Sequence, residues 1–427
     1  MTYTKSSQTH LILSIWLFGS LFYSYQYILR VLPNIMMPEI LTKFHIGADI
    51  FGQFSGWYYI GYALMHIPIG IALDRFGPKK ILPGCVLLTV IGVLPLFLSH
   101  QWVYPLIGRA FIGMGSSAAI LGVFKIIRMC YKEDQFTKML GVSVTIGLLG
   151  ALYGGIPINY LMVTFGYVNV LWVISSIGVI IALILYLILP SDYENSISST
   201  IVHDLKQVIT NSKVIIICLL AGLMVGPLEG FADVWGTAYL KSAYVLHPDV
   251  ASGLPSLIFM GMCFGAPILT TIASRTSAYY ELIILSALMM GVGFIAILHG
   301  GLSQNILSVL FVLIGIMCAY QILAIFKASM YVSLHLVSVT TAIANMIIMT
   351  FGYVFHTSIG ASIQYFWDGR YDGETPLYNA SVFVKGLSII PAGLLIAAIG
   401  FTSVYLSERK KLRAQKVESL SIITANE

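Results

Sequence analysis

The residues with the clearest chemical potential are ionisable side chains inside long apolar stretches. Arg30 follows the run Tyr23-Ser24-Tyr25-Gln26-Tyr27-Ile28-Leu29, and helical spacing places Tyr23, Tyr27 and Arg30 on one face. A guanidinium can bind a carboxylate or a phosphate through two parallel hydrogen bonds. These residues are therefore a candidate substrate-binding group for an anion. The alternative is an arginine that pairs structurally with a carboxylate of another helix.

Two carboxylates lie in a second apolar stretch. Glu229 and Asp233 are four residues apart, which puts them on one helical face, and Gly226, Pro227 and Gly230 allow the helix to bend there. Two carboxylates in a low dielectric resist being ionised together, so one of them is a candidate proton acceptor. They can instead bind a substrate amine, or neutralise Arg30 until protonation breaks the pair.

Polar residues in other apolar stretches are weaker candidates. Asn345 joins the candidate substrate-binding set, whereas His66 and His356 are typical of hydrogen-bonded structural histidines. Lys125 and Lys327 lie near the ends of their apolar stretches, where lysines extend towards the membrane surface. If these lysines line a cavity, they favour an anionic substrate. None of the cysteines or histidines has the spacing of a metal site, and we expect no metal and no cofactor.

The elements that must position these residues are membrane-spanning helices. Of the residues, 58% are hydrophobic and 10% are charged, and the mean hydropathy is +0.88, whereas a soluble domain has roughly 25% charged residues. A spanning helix needs about 20 apolar residues. We predict an all-α membrane protein whose twelve spans lie near 11–37, 51–73, 81–99, 102–128, 138–163, 167–190, 213–242, 250–273, 278–299, 303–328, 336–366 and 381–407.

Polar connections predict two halves of six spans each. The boundaries are 1–190 for the first half, 191–212 for a cytoplasmic linker, 213–407 for the second half and 408–427 for a cytoplasmic tail. Most of the 23 Lys and Arg residues fall in segments that are cytoplasmic if both termini are inside. The segments Gly113–Lys125 (GMGSSAAILGVFK) and Gly315–Lys327 (GIMCAYQILAIFK) align in equivalent spans, which favours an internal duplication.

The connection between spans 2 and 3 contains a specific motif. It reads GIALDRFGPKK from Gly70 to Lys80, and we call it the signature loop. It resembles the pattern G-x-x-x-D-R-x-G-x-[RK]-[RK] of the major facilitator superfamily at the same location. The resemblance implies a latch that stabilises the outward-open state. The alternative, a basic anchor at the membrane surface, explains only the two lysines. The latch residues are Gly70, Asp74, Arg75, Gly77, Lys79 and Lys80.

Two further segments qualify the resemblance. Arg109 begins RAFIGMG, which resembles the family pattern R-x-x-Q-G-x-G with Ile112 in place of Gln, and which implies a role in proton coupling. The alternative is an arginine that extends to the membrane surface. In span 5, Ala151 and Leu152 stand where the antiporters of the family have Gly-Pro. This departure disfavours drug-type antiport.

The resemblance implies a secondary active transporter that works by alternating access. We predict proton-coupled symport of a small carboxylate-bearing solute, such as an amino acid, a short peptide or an organic acid, with Glu229, Asp233 and Arg109 as the proton-coupling residues. The alternatives are uptake or export of a polycarboxylate siderophore, and a transporter-like receptor. We expect no enzyme activity and no nucleic-acid partner. The expected setting is the lipid bilayer of a cell inner membrane, with both termini cytoplasmic, as a monomer.

Overall fold

The computed structural model describes residues 5–190, 201–244 and 246–425, and these residues are almost all helical. Residues 191–200 of the predicted linker lie outside the described residues. The rest of the linker contains the short amphipathic helix Ile201–Ile209. The last helix continues through the predicted tail to Ala425.

Each predicted span of the first half is a helix. Span 5 is interrupted at Gly154 and Gly155, next to Pro157, which begins a new helical turn. The helices of spans 1 to 6 are Lys5–Phe44, Ala48–Phe76, Pro78–Leu98, Val103–Cys130, Glu133–Tyr153 with Ile156–Phe165, and Tyr167–Ile188.

The second half has more broken helices, and a short antiparallel hairpin, Tyr371–Asp372 with Thr375–Pro376, connects its last two spans. Span 7 consists of Ser212–Gly222, the π-helix Gly226–Trp235 and Gly236–Ala243. The helices of spans 8 to 12 are Pro248–Gly253 with Ser256–Thr276, Tyr279–His299, Gln304–Cys318 with Tyr320–Ser329, the 3-10 turn Leu334–Leu336 with Val337–Tyr365, and Ala380–Leu387 with Ile389–Ala425.

Eleven helices of the described residues are long and apolar enough to cross a membrane. The remaining predicted span, span 2 (Ala48–Phe76), has 29 residues but is less apolar than these eleven helices. Its composition has a structural reason, because Tyr58, Tyr59 and His66 are buried inside the protein and do not face lipid. Composition alone underrates a helix whose polar residues point into the bundle.

Glycines bring spans 2 and 4 into close contact, and spans 8 and 10 meet in the same way. A Cβ atom on Gly113 would lie 1.9 Å from the carbonyl oxygen of Tyr58, and one on Gly315 would lie 2.1 Å from that of Ile258. Gly113 and Gly315 begin the two segments that align in the sequence. Small residues at helix contacts allow this approach, so the aligned segments share a packing geometry as well as a pattern.

The close contact at Gly113 predicts that the same Gly→Ala change has opposite effects on stability at Gly113 and at Gly84. Gly113→Ala forces a methyl group against the backbone of span 2, and we expect a loss of about 1–3 kcal/mol of stability. Gly84→Ala is the control, since no atom lies within 4 Å of its added Cβ and alanine favours a helix. Thermal unfolding of the purified protein in detergent measures both. Equal midpoints for the two variants would contradict the close packing.

The two halves meet at the end of the molecule opposite the signature loop. The backbone N–H of Ala48, at the start of span 2, donates to the side-chain oxygen of Gln364 at 3.0 Å and to the Tyr378 hydroxyl at 2.9 Å. A Cβ on Gly52 would lie 2.4 Å from the carbonyl oxygen of His356. Span 2 and span 11 are thus packed backbone to backbone there, which closes this end.

Candidate functional site

Span 7 presents its carboxylates from a π-helix. The predicted bend at Gly226, Pro227 and Gly230 takes this form, in which the backbone winds more widely than in an α-helix. Such turns are rare and occur often at functional sites. Glu229 and Asp233 are 0% and 1% exposed, and both point towards span 1 of the other half.

Arg30 binds both carboxylates. Its Nε donates to Asp233 Oδ2 at 2.6 Å, and its Nη2 donates to Glu229 Oε2. The Tyr59 hydroxyl lies within hydrogen-bonding reach of the same two carboxylate oxygens. The rings of Tyr27 and Tyr59 flank the guanidinium at 5.3 and 5.4 Å. We call Arg30, Tyr59, Glu229 and Asp233 the charge cluster; it joins the two halves of the protein.

Arg109 lies beside the charge cluster and supports it from span 4. It is 3% exposed, so it does not extend to the membrane surface. Its guanidinium donates to the carbonyl oxygens of Leu29 at 2.7 Å and Arg30 at 3.3 Å, and it lies 5.2 Å from the centre of the Tyr58 ring. These contacts hold the backbone of span 1 where the Arg30 side chain begins.

The buried charges balance. Arg30 and Arg109 supply two positive charges, and Glu229 and Asp233 supply two negative charges when both are ionised. Glu229 Oε1 and Asp233 Oδ1 have no hydrogen-bond partner among the described residues. Buried carboxylate oxygens normally have one, so each of these atoms can accept a proton.

A cavity of about 800 Å³ leads from this site to the end of the molecule that carries the signature loop. Tyr23, Tyr27 and Arg30 line its inner part, and Asn345 lines its wall. At the other end it reaches Asp74, whose side chain is exposed. The charge cluster contributes only Arg30 to the lining, because the two carboxylates lie behind the guanidinium.

The signature loop shows an ion pair within the first half. Asp74 Oδ1 accepts a hydrogen bond from Lys125 Nζ at 2.6 Å, which links spans 2 and 4. Gly77 has φ +75°, a conformation that requires glycine. Gly70 does not lie at a close helix contact, because a Cβ there would meet only the Leu121 side chain at 3.8 Å. The role of these residues as a latch stays a prediction.

The aligned lysines have matching partners. Lys125 pairs with Asp74, and Lys327 lies 3.5 Å from Glu408 of span 12. Lys125 also lines the cavity, together with Arg128. The cavity therefore has positive side chains at its inner part and near its opening.

Comparisons with known proteins identify the family. The sequence model of the Major Facilitator Superfamily matches residues 17–361. The chain belongs to this superfamily. It is a multi-pass membrane protein and a secondary transporter of the major facilitator type, as the signature loop predicted.

The curated relatives of this transporter are distant. An uncharacterized transporter of Buchnera aphidicola, BU466, is 26% identical over 193 residues, which are 43% of this chain and 48% of that protein. An uncharacterized MFS-type transporter of Bacillus subtilis, YceJ, is 23% identical over 65% of this chain and 72% of its own length. The hexuronate transporter of Bacillus subtilis is 25% identical over 37% of each chain.

Solved structures share the fold of the transporter. A bacterial homologue of the human lysosomal transporter Spinster, in an inward-facing and unoccupied conformation, superposes with a TM-score of 0.72 at 17% identity and covers 96% of this chain and 99% of its own. The nucleoside transporter NupG superposes with a TM-score of 0.73 at 13% identity, covering 92% of this chain and 99% of its own. At this identity the likeness concerns the fold alone.

Two residues of the transporter site escaped sequence reasoning. Tyr59 lies in a run of tyrosines that looks like packing, yet it contacts both carboxylates. Asn34 spans the halves, since it donates to the Ala232 carbonyl at 3.1 Å and accepts from the Thr237 N–H at 3.0 Å. Asn34 is a polar residue one helical turn after Arg30 in an apolar stretch, and this position was the signal that could have identified it. His356 was considered in the sequence as a hydrogen-bonded structural histidine, and its Nε2 contacts the carbonyl oxygen of Glu229.

Proposed function

We propose that the protein is a proton-coupled symporter of small organic acids. The observation that carries this proposal is the position of Arg30 at the inner part of the cavity, where it is held by two carboxylates of the opposite half. A guanidinium in this position can exchange one carboxylate partner for another. The entering partner is the carboxylate of the substrate, bound through two hydrogen bonds.

The charge balance couples this exchange to a proton. With both carboxylates ionised, Arg30, Arg109, Glu229 and Asp233 sum to zero, and a substrate anion adds one negative charge to a buried site. A proton on the carboxylate that Arg30 releases restores neutrality, and unpaired charge at membrane depth costs several kcal/mol. Proton and substrate therefore favour each other's binding. By linkage this coupling is reciprocal, and a carrier that reorients with both ligands bound moves them in the same direction, which is symport.

The same pair links binding to alternating access. Arg30 lies on span 1 and its two partners lie on span 7, which are equivalent helices of the two halves. Transporters of this kind rock their halves around a site near the midplane. When substrate and proton replace the pair between Arg30 and the carboxylates, the contact between the halves changes. We propose that the signature loop sets the balance between the two states, with Asp74 changing partners.

The cavity lining favours organic acids over amino acids and short peptides. A substrate ammonium needs an anionic partner, and Glu229 and Asp233 are enclosed behind Arg30. The matched hexuronate transporter carries a carboxylate-bearing solute by its name, which supports the same class. A polycarboxylate is the second candidate, since Lys125 and Arg128 lie along the path from the opening to Arg30.

The distribution of basic residues supports an orientation. We propose that the signature loop and both termini lie in the cytoplasm of a bacterial cell, with the protein in its inner membrane, because basic residues near helix ends resist translocation. In this orientation the cavity opens inward and the contact of Ala48 with Gln364 and Tyr378 closes the outer side.

Uptake into proteoliposomes tests the proposal. We expect an inward proton gradient to drive accumulation of a labelled organic acid from a panel that also contains amino acids, dipeptides and polycarboxylates. Collapse of the gradient with a protonophore is the control, and it should abolish accumulation while equilibration continues. Accumulation of amino acids alone, or accumulation that persists after the gradient collapses, would contradict the proposal.

A further inference from the structure

A second group of polar side chains lines the cavity between Arg30 and its opening. His66 of span 2, Gln321 of span 10 and Asn345 of span 11 all face the same space. His66 Nε2 lies 3.5 Å from Asn345 Nδ2, and the His66 ring stacks on that of Tyr62 with centroids 5.3 Å apart. The three residues thus converge from both halves of the protein.

Two of these side chains keep buried polar atoms without a partner. His66 is 5% exposed, and within the described residues neither its Nδ1 nor the Gln321 Nε2 makes a hydrogen bond. Most buried polar side-chain atoms in proteins are satisfied. Both side chains line the cavity, so a reorientation of the imidazole ring or of the amide towards the cavity would let a bound solute supply the missing partner.

Helix geometry gives the distance between the two groups. Tyr59, Tyr62 and His66 follow helical spacing along one face of span 2, and Tyr59 belongs to the charge cluster. Seven residues at 1.5 Å each separate Tyr59 and His66 by about 10 Å along the axis. An extended six-carbon chain with a hydrogen bond of about 3 Å at each end is long enough to cover this distance.

The chemistry of the second group selects a neutral partner. His66, Gln321 and Asn345 include no carboxylate, and Asp74, the one acidic residue of the lining among the described residues, lies two further turns along span 2 and pairs with Lys125. An ammonium at this level would have no anionic partner. Hydroxyl groups can both donate to and accept from amide and imidazole groups.

Resting on the proposed function, we propose that His66, Gln321 and Asn345 form a subsite for the hydroxylated tail of the substrate, which makes the substrate class a polyhydroxy acid. Its carboxylate binds Arg30, and its hydroxyl groups bind this subsite. A site built to hydrogen-bond a hydroxyl group discriminates strongly against an analogue that lacks it.

Three six-carbon acids test the subsite on the unmodified protein. Isothermal titration calorimetry in detergent at mildly acidic pH compares gluconate, hexanoate and 6-aminohexanoate, whose tails are hydroxylated, apolar and cationic. We expect gluconate to bind at least about tenfold more tightly than either analogue. Equal binding of gluconate and hexanoate, or preference for 6-aminohexanoate, would overturn the subsite while leaving Arg30 as the carboxylate site. If none of the three binds, the polyhydroxy-acid class is wrong, and the uptake panel tests the proposed function separately.

Substitutions of the subsite residues test whether the preference for gluconate arises there. Asn345→Leu and His66→Phe remove polar atoms at similar volume, and His66→Phe keeps the stack on Tyr62. We expect both to weaken gluconate about tenfold and to leave hexanoate unchanged. Thr341→Val is the matched control, because its hydroxyl lines the cavity but already donates to the Val337 carbonyl at 2.9 Å. Unchanged gluconate affinity in both subsite variants would place the tail elsewhere and overturn the assignment.

Discussion

Arg30→Lys should reduce substrate affinity about 100-fold, because an ammonium cannot form the two parallel hydrogen bonds of a guanidinium. Lysine keeps the positive charge that Glu229 and Asp233 require, so the variant should still fold. Arg30→Ala is a poorer choice, since it leaves two buried carboxylates without their main partner, which is strongly destabilising. Binding of the transported acid to purified protein measures the effect, with size-exclusion profiles as the check on folding.

Arg128→Lys is the matched control for this experiment. Arg128 lines the same cavity, but its side chain is exposed near the opening. Exposed charges contribute roughly 0–1 kcal/mol, so we expect at most a small change in affinity. Equal losses in the two variants would mean that the cavity attracts anions through its overall charge and that Arg30 has no special role.

Replacement of a carboxylate by its amide should separate exchange from accumulation. Glu229→Gln and Asp233→Asn imitate the protonated carboxyl group. An amide, however, has no proton to release. We expect one of the two variants to lose accumulation driven by a proton gradient, while substrate exchange across the membrane remains. The reason is that exchange needs only the loaded carrier to change its orientation, whereas accumulation needs the proton to bind and leave.

The other carboxylate variant should behave differently and thereby identify the proton carrier. A carboxylate that only positions Arg30 should, when replaced, weaken exchange and accumulation together. Glu281→Gln is the control, because Glu281 is exposed at the start of span 9. Accumulation that survives in both cluster variants would exclude Glu229 and Asp233 as proton carriers and leave them as partners of Arg30 only.

Much of the fold could be predicted because membrane helices depend on length and composition. The spans of both halves are helices at the predicted places, and the signature loop identified the family. Span 2 is the least apolar, yet hydropathy and the turn residues that flank it were sufficient to place it. The π-helix was less accessible. Gly226, Pro227 and Gly230 predict a bend, but the winding of the backbone depends on packing against spans 1 and 11, which no local pattern specifies.

The candidate site was predictable where isolated charges stood in apolar sequence. Arg30, Glu229 and Asp233 stood out because ionisable groups at membrane depth require a partner or a cavity, and their pairing was among the alternatives. Tyr59 could not be distinguished from Tyr58, since both lie in the same run, and only the fold shows which one reaches the carboxylates. Arg109 shows the same limit: its motif indicated coupling, whereas its contacts with the Leu29 and Arg30 carbonyls depend on how spans 1 and 4 meet.

The number of protons taken up when substrate binds tests the central claim most directly. Purified protein in weakly buffered detergent solution receives the transported acid as its fully ionised salt, and a pH indicator reports the change. We expect an uptake of about one proton per molecule bound, and none in the carboxylate variant that keeps exchange but loses accumulation. Release of protons, or binding without any proton change in the unmodified protein, would contradict the exchange of carboxylates at Arg30.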